Sequence, residues 1–438
     1  MKNKTTIVAT GDSFITRRLP EGGYEGLSDL KTLINQYDVR FNNLEMTTHD
    51  KEGYPSAVSG GTWAMADPMV LDDLKAYGFN VFNTANNHSC DYGHGGLLAT
   101  IRNLKERGMI YAGTGANLFE AASPAYVETK NARVALLGIC STFCPSDTAG
   151  NQSVSMCGRP GLNPLRHKKE FHVPKEAFDI LKEIAEKTNL NAEKFLAIQN
   201  GYAHPTPDSA FMFGDLCFHC ASDYAMHTSP FERDMVRMES MIQEARRQAD
   251  YVIVSFHHHE FSGKNKLDPA EFIRTFCQRC IDSGADILLG HGPHEVQGIE
   301  IYRGKPILYS LGNFIFETET VALQPADAYE NAGITHATMV GEYIDRRSEN
   351  GTKGYVVQEN IWRSVVAGFT AIDGKIEEIT LYPLSLEMDK PRGQRGIPRL
   401  EPSTAVLEHI AQLSEVFGTT ISIENGLGVI RINSEQEV

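Results

Sequence analysis

Short apolar runs alternate with amphipathic stretches along most of this chain, and that alternation limits the fold more than any other feature. Residues 6–9, 39–44, 81–84, 133–139, 251–256, 287–289 and 305–310 read as strands. Residues 27–36, 68–77, 95–107, 232–248 and 269–283 carry apolar side chains at helical spacing, as with Leu27, Leu30, Leu33 and Ile34 on one face. Strands separated by helices of ten or more residues predict an α/β body with helices outside the sheet. The tail differs: 355–357, 365–370 and 376–382 are strand-like with no helix between them, so they should add antiparallel strands and turn a doubly wound sheet into a sandwich. At 438 residues the chain is long enough to bury a sizeable core. We expect one body over 1–383 and an extension, 384–438, packed on it.

Residues 145–230 break the rhythm with six prolines up to Pro207 and one clear helix, 175–187. This stretch reads as an irregular and helical insertion beside the core, and long excursions of this kind often roof a site.

Polar residues sit where the strands end. Asp12 follows the first strand, Glu45 the second, and Asn86-Asn87-His88 the third. Five of the 15 histidines fall between His257 and His294, a span where an even spread would put about one. His257-His258-His259-Glu260 closes one buried strand, and Gly290-His291-Gly292-Pro293-His294 closes the next. Loops at strand ends are where α/β folds build sites, because the sheet fixes the stems while the loop curves round a ligand. Taken singly, Asp12 reads as a turn cap, Asn87 as a turn residue, Glu45 as a solvated charge and His258 as a capped surface residue. Together, imidazole, carboxylate and amide ligands make a mixed nitrogen and oxygen set suited to divalent metals.

The charge balance, 41 Lys and Arg against 56 Asp and Glu, gives −15 and argues against nucleic acid or an anionic membrane as partner. With no run of 18 apolar residues and no apolar signal core near Met1, we expect no membrane insertion and a cytoplasmic location. Cys217-Phe-His-Cys220 and Cys277-Gln-Arg-Cys280 are two CxxC pairs, a zinc arrangement if the fold joined them. The second pair lies in the expected helix 269–283, where such spacing is usually core packing, and Cys140 and Cys144 read as buried thiols.

The series Gly11-Asp12 with Arg17, Asn43-Leu44-Glu45, Ala85-Asn86-Asn87-His88 with Asp91-Tyr92-Gly93, Val254-Ser255-Phe256-His257, Gly290 through Gly298, and Tyr309-Ser310-Leu311-Gly312-Asn313-Phe314 resembles the CapA/PgsA family of poly-γ-glutamate capsule proteins, within the calcineurin-like metallophosphoesterase superfamily. The resemblance spans about residues 7–316. It implies a four-layer α/β/β/α sandwich holding two divalent metal ions (Mn, Fe or Zn) on Asp12, Glu45, Asn87, His257, His291 and His294. It also implies a catalytic set of His88 with Asp91 beside it, His88 contacting substrate and protonating the leaving group, and Arg17 holding an anionic oxygen. Three departures stand out. Phe14 occupies the position where the superfamily has a histidine, and His291 and His294 are separated by two residues rather than one. His258-His259-Glu260 replaces the Trp-Gly that follows the family's histidine, which adds His259 and Glu260 to the residues that could reach the centre. The implied activity is metal-dependent hydrolysis of a phosphoester in a small anionic substrate. The alternatives are hydrolysis of a γ-glutamyl amide, and a non-catalytic role binding a polyanion in polymer synthesis or export.

Overall fold

The computed structural model describes residues 4–207 and 209–432, so 1–3 and 433–438 of the two expected units lie outside the described residues. Two sheets dominate. The larger has ten strands and runs Ser422–Glu424, Leu427–Arg431, Lys375–Ser385, Arg363–Ile372, Lys4–Phe14, Val39–Leu44, Val81–Asn83, Ile110–Ala112, with Asn313–Phe316 also paired to Lys4–Phe14 and Arg399–Leu400 to Lys375–Ser385. The smaller has six, in the order Ile299–Tyr302, Lys305–Leu308, Ile287–His291, Tyr251–His257, Arg133–Cys140, Ala125–Glu128. The central strands of both sheets are parallel, joined by helices, as the alternation predicts.

The period-two alternation of a strand decides what each side chain meets. Ile7 and Ala9 face one way, into a core shared with Val134, Leu136, Ile253, Ile287 and Leu289 of the smaller sheet. Val8 faces the other way, against Leu30, Leu33 and Ile34 of the helix Leu27–Ile34 and Leu71 and Leu74 of Val70–Tyr77. In the smaller sheet Ala135, Leu137, Val252 and Val254 meet Met235, Met238 and Ile242 of Glu232–Gln248 and Phe272, Ile273 and Phe276 of Glu271–Asp282. The sandwich therefore has its two sheets face to face, and the middles of these strands, such as residues 7–9 and 252–254, are apolar on both sides because both faces are covered. Each fully buried Ile, Leu or Phe contributes about 1.5–3 kcal/mol of transfer free energy.

The tail supplies antiparallel strands, Arg363–Ile372 beside Lys4–Phe14 and Lys375–Ser385 beside it in turn. Leu407 and Ile410 of the helix Ala405–Glu415 enter the core between the sheets, and Leu427–Arg431 extends the larger sheet. Two expectations need correction. Gly354–Val357 is a 3-10 turn, not a strand: Gly354 has φ 83, and the Tyr355 carbonyl is taken by the Trp362 indole at 2.9 Å. The stretch 145–230 is more regular than its prolines suggest, with a four-stranded sheet (Phe211–Phe213, Leu216–Cys220, His167–Val173, Ala225–Pro230) and a second helix, Ala192–Gln199, beside Lys175–Lys187. Among the described residues no helix is long and apolar enough to cross a membrane.

Candidate metal centre

Parallel register brings polar residues into rows at the strand ends. Across the larger sheet Asp12 is level with Asn43 and with Asn313, and Asn43 with Asn83. Across the smaller sheet His257 is level with His291. Because the sheets pack face to face, these rows meet.

Amides fix the carboxylate in the first row. Asn83 Nδ2 donates to Asn43 Oδ1 (2.7 Å), and Asn43 Nδ2 donates to Asp12 Oδ1 (2.7 Å). The Gly292 amide donates to Asp12 Oδ2 at 3.0 Å. Only glycine fits there: φ is +113°, and a Cβ would lie 2.1 Å from the His258 carbonyl oxygen. His294, with φ 61, then turns back, and its Nδ1 bonds Asn313 Oδ1 at 2.9 Å.

Around Asp12 and Glu45 the imidazoles gather at distances too long for hydrogen bonds. His291 Nδ1 lies 3.5 Å from Asp12 Oδ1, and His294 Nδ1 lies 3.7 Å from Asp12 Oδ2. From Glu45 Oε1, His257 Nε2 is 3.6 Å away and His294 Nε2 3.8 Å. Asp12, Glu45, His257 and His291 are fully buried, yet both oxygens of Glu45, both ring nitrogens of His291 and Oδ1 of Asn87 have no hydrogen-bond partner. An orphaned buried polar atom costs about 1–3 kcal/mol, so the orphaned atoms of Glu45 and His291 beside Asp12, His257 and His294 are expensive unless something fills the space between them. The separations match ligand atoms around a shared cation, and the donor chemistry of carboxylate, imidazole and amide oxygen fits divalent metals. The residues present fit the group that the family implies.

Burial is the largest influence on the ionisation of these groups. Burial pushes the Glu45 carboxyl well up, and the nearby charges of Asp12 and Asp91 add to it. Burial also acts to raise Asp12, but His291, His257 and His294 outweigh it and hold the carboxylate below its usual range. Burial drives His257, His259 and His294 down, toward the neutral form that ligates metal.

The remaining expected residues stand as follows. Asn87 Nδ2 donates to the Gly60 carbonyl at 3.0 Å. His88 Nδ1 meets Asp91 Oδ2 at 2.7 Å, and Asp91 also accepts from the amides of Ala64 (2.7 Å) and Gly60 (3.2 Å). Phe14 packs edge-on to His88 with ring centres 5.2 Å apart. His259 Nε2 comes within 3.3 Å of His257 Nε2 and groups with Glu45, whereas Glu260 is turned to the hydroxyls of Ser141 (2.6 Å) and Thr142 (3.0 Å). His258 is not a capped surface residue: strand alternation sends it opposite to His257 and His259, fully buried, with Nε2 3.0 Å from the Tyr309 carbonyl. Arg17 pairs with Glu317 (2.9 Å) and bonds the Gly393 carbonyl (2.5 Å).

A cleft of about 100 Å³ opens above the cluster, and among the described residues its walls are Phe14, Gly60, Gly61, Thr62, His88, His259, His294, Thr318, Arg347 and Tyr355. Its cation is Arg347, at the end of the helix Val340–Arg347 and bonded to the Thr62 hydroxyl. Sequence reading missed Arg347, Thr62 and Tyr355, which belong to no strand end. It also missed the amide row Asn43, Asn83 and Asn313, for which the available signal was alternation: Asn43 shares the inward face of Phe41.

Residues 6–318 match the family described as bacterial capsule synthesis protein PGA_cap. The chain is 33% identical to uncharacterized protein y4sH of Sinorhizobium fredii, over 98% of this chain and 93% of that protein. It is 24% identical to the capsule biosynthesis protein CapA of Bacillus anthracis over 72% of this chain and 60% of that one. It is also 25% identical to the PGA biosynthesis protein CapA of Bacillus subtilis, over 56% and 44% respectively. The chain belongs to the PGA_cap family of bacterial capsule synthesis proteins.

Proposed function

We propose that this protein is a metal-dependent hydrolase of an anionic substrate, acting in the metabolism of a polymer of the poly-γ-glutamate type. The observation that carries the reading is the convergence of the partnerless atoms of Glu45 and His291 with His257, His294 and Asp12 in one buried cluster. Asp12, Glu45, Asn87, His257, His291 and His294 would hold two divalent cations, with His259 as a further ligand where Phe14 offers none. Bound there, such cations supply Lewis acidity that lowers the pKa of water and neutralises charge on a substrate oxygen.

The chain's own residues supply the rest. Asp91, an acceptor on three donors, holds the His88 ring through Nδ1, and His88 lines the cleft in position to give a proton to a leaving group. Arg347 and the Thr62 hydroxyl offer a charged anchor for an anion at the cleft wall. Phe14, Tyr355 and Phe316 form an aromatic wall beside His88 and His294 that limits water.

Phosphoester hydrolysis is the first reading. A γ-glutamyl amide is the second, favoured by the PGA biosynthesis relatives. Incubation with phosphomonoesters, phosphodiesters and γ-glutamyl oligomers, each with Mn²⁺, separates them by the product formed. Asn87→Ala and His257→Ala should abolish turnover while leaving the melting of the metal-free protein nearly unchanged. Unaltered turnover in both variants refutes the assignment, and a wild-type chain inactive on all three classes favours the polyanion-binding role.

A further inference from the structure

The segment His167–Pro230 carries a second constellation that the proposed activity does not use. In its sheet Glu170 is level with Cys217 on one neighbour and with His227 on the other, and His172 is level with His219. Residues in register share a face, so one side of this sheet displays Glu170, His172, Cys217, His219 and His227. The opposite side displays Phe171, Phe211 and Phe218, with Phe178 of the helix Lys175–Lys187 against Phe211.

This explains why the CxxC reading of Cys217 and Cys220 does not hold. Three residues apart on a strand, those two side chains leave by opposite faces and cannot chelate together. Cys277 and Cys280 lie on the buried face of the helix Glu271–Asp282. The pair that does share a face is Cys217 and His219, two residues apart, and Glu170 joins them across the strands.

We propose that Glu170, Cys217 and His219 form a second metal site, selective for Zn²⁺. Two distances and one upper bound support it. Cys217 Sγ lies 3.6 Å from His219 Nε2, and His219 Nε2 lies 3.6 Å from Glu170 Oε1. All three donor atoms fall within 4.8 Å of one another. In a tetrahedral site with Zn–S near 2.3 Å and Zn–N and Zn–O near 2.0–2.1 Å, the edges are about 3.4–3.6 Å. A fourth observation concerns the tautomer. His219 Nδ1 donates to the Ser209 carbonyl at 3.0 Å, which places the proton on Nδ1 and leaves the Nε2 lone pair facing the thiol and the carboxylate. That is the outer hydrogen bond that orients ligating histidines. His227 is held instead by Glu271 at 3.1 Å, and the side chains of His219 and Glu170 are 23% and 37% exposed, so a fourth position stays open to solvent. A thiolate ligand favours Zn²⁺ over Mn²⁺, Mg²⁺ or Ca²⁺. The ion would cross-link two parallel strands of a sheet whose strands are short.

The test uses the full chain and Co²⁺ as a coloured substitute. The central cluster offers only nitrogen and oxygen donors, so a thiolate-to-cobalt charge-transfer band in the near ultraviolet reports this site alone. The expected result is a band that saturates at one bound Co²⁺ per chain beyond those taken up by the central cluster, bleached by Zn²⁺ and unaffected by Mn²⁺. It should vanish in Cys217→Ser, persist in Cys220→Ser, and need about 10-fold more Co²⁺ or beyond in His219→Ala. Zn²⁺ should raise the melting temperature of wild type more than that of Glu170→Gln, a variant that keeps the thiol. Absence of the band in wild type, or its survival in Cys217→Ser, overturns the proposal.

Discussion

Replacing Asp91 with asparagine tests the proton-transfer part of the account. Asp91 is 1% exposed and takes three donors: His88 Nδ1, the Ala64 amide and the Gly60 amide. Asparagine keeps the shape but swaps one accepting oxygen for a donating NH₂, so at least one of these donors faces another donor. If the NH₂ turns toward His88, the acceptor that holds its Nδ1 is also lost. A hydrogen bond to a charged group is worth about 1.5–3 kcal/mol, which corresponds to a roughly 10- to 150-fold fall in kcat/KM. The fall should depend on the leaving group, since a general acid matters most when the departing oxygen is basic. Initial rates on an aryl and an alkyl phosphate, with metal content checked in each sample, give the comparison. The alkyl ester should suffer more, and His88→Ala should show the same bias. An equal loss on both esters would show that Asp91 acts through the fold of the Gly60 loop alone, and the assignment of His88 as acid would fall.

Further expectations follow from the geometry. Arg347→Met should raise KM for an anionic substrate by roughly 10-fold or more, the worth of one charge-assisted contact, whereas Arg17→Met, whose guanidinium is held by Glu317, should change KM far less; steady-state kinetics decides between them. His258, whose pKa burial lowers to about 4, should make the metal-free protein acid-sensitive. Between the unfolded value of 6.5 and about 4 the folded chain binds fewer protons than the unfolded one, so stability present above pH 6.5 is lost on acidification, by about 2 kcal/mol at pH 5. Urea midpoints at pH 7 and pH 5, with His258→Gln flattening the difference, check it. Gly292→Ala should destabilise by at least about 1–3 kcal/mol, from the left-handed backbone alone, as a lowered melting temperature, and should weaken metal binding by moving the amide that holds Asp12.

How much the sequence showed depended on burial. Strands such as Tyr251–His257 are covered on both faces, so they read as largely apolar runs and the layered α/β body was legible from them, while the sandwich was read from the antiparallel strands of the tail. The meeting of Asp12, Glu45, His257, His291 and His294 was legible for a related reason: once parallel strands are recognised, their ends must lie side by side. His259 was legible, together with Glu260, only as a departure from the family's motif after His257. The strands of 145–230 were hidden because Phe211–Phe213 and Leu216–Cys220 are short and only partly buried, leaving no strong periodic signal. Arg347 was hidden too, since it reaches the cleft from a short helix that no pattern near a strand end announces. The orientation of Arg17 depended on Glu317, three hundred residues away, which no local pattern can reveal.

The claim under everything is that the buried cluster holds cations. Reconstituting the apo-protein with Mn²⁺, removing loose metal by gel filtration and counting metal per chain by plasma mass spectrometry tests it directly. About two ions per chain are expected for a dinuclear site, falling to one or fewer in Glu45→Gln and in His291→Ala. Less than one ion in the native chain, with no recovery on adding Mn²⁺, Fe²⁺ or Zn²⁺, would contradict it.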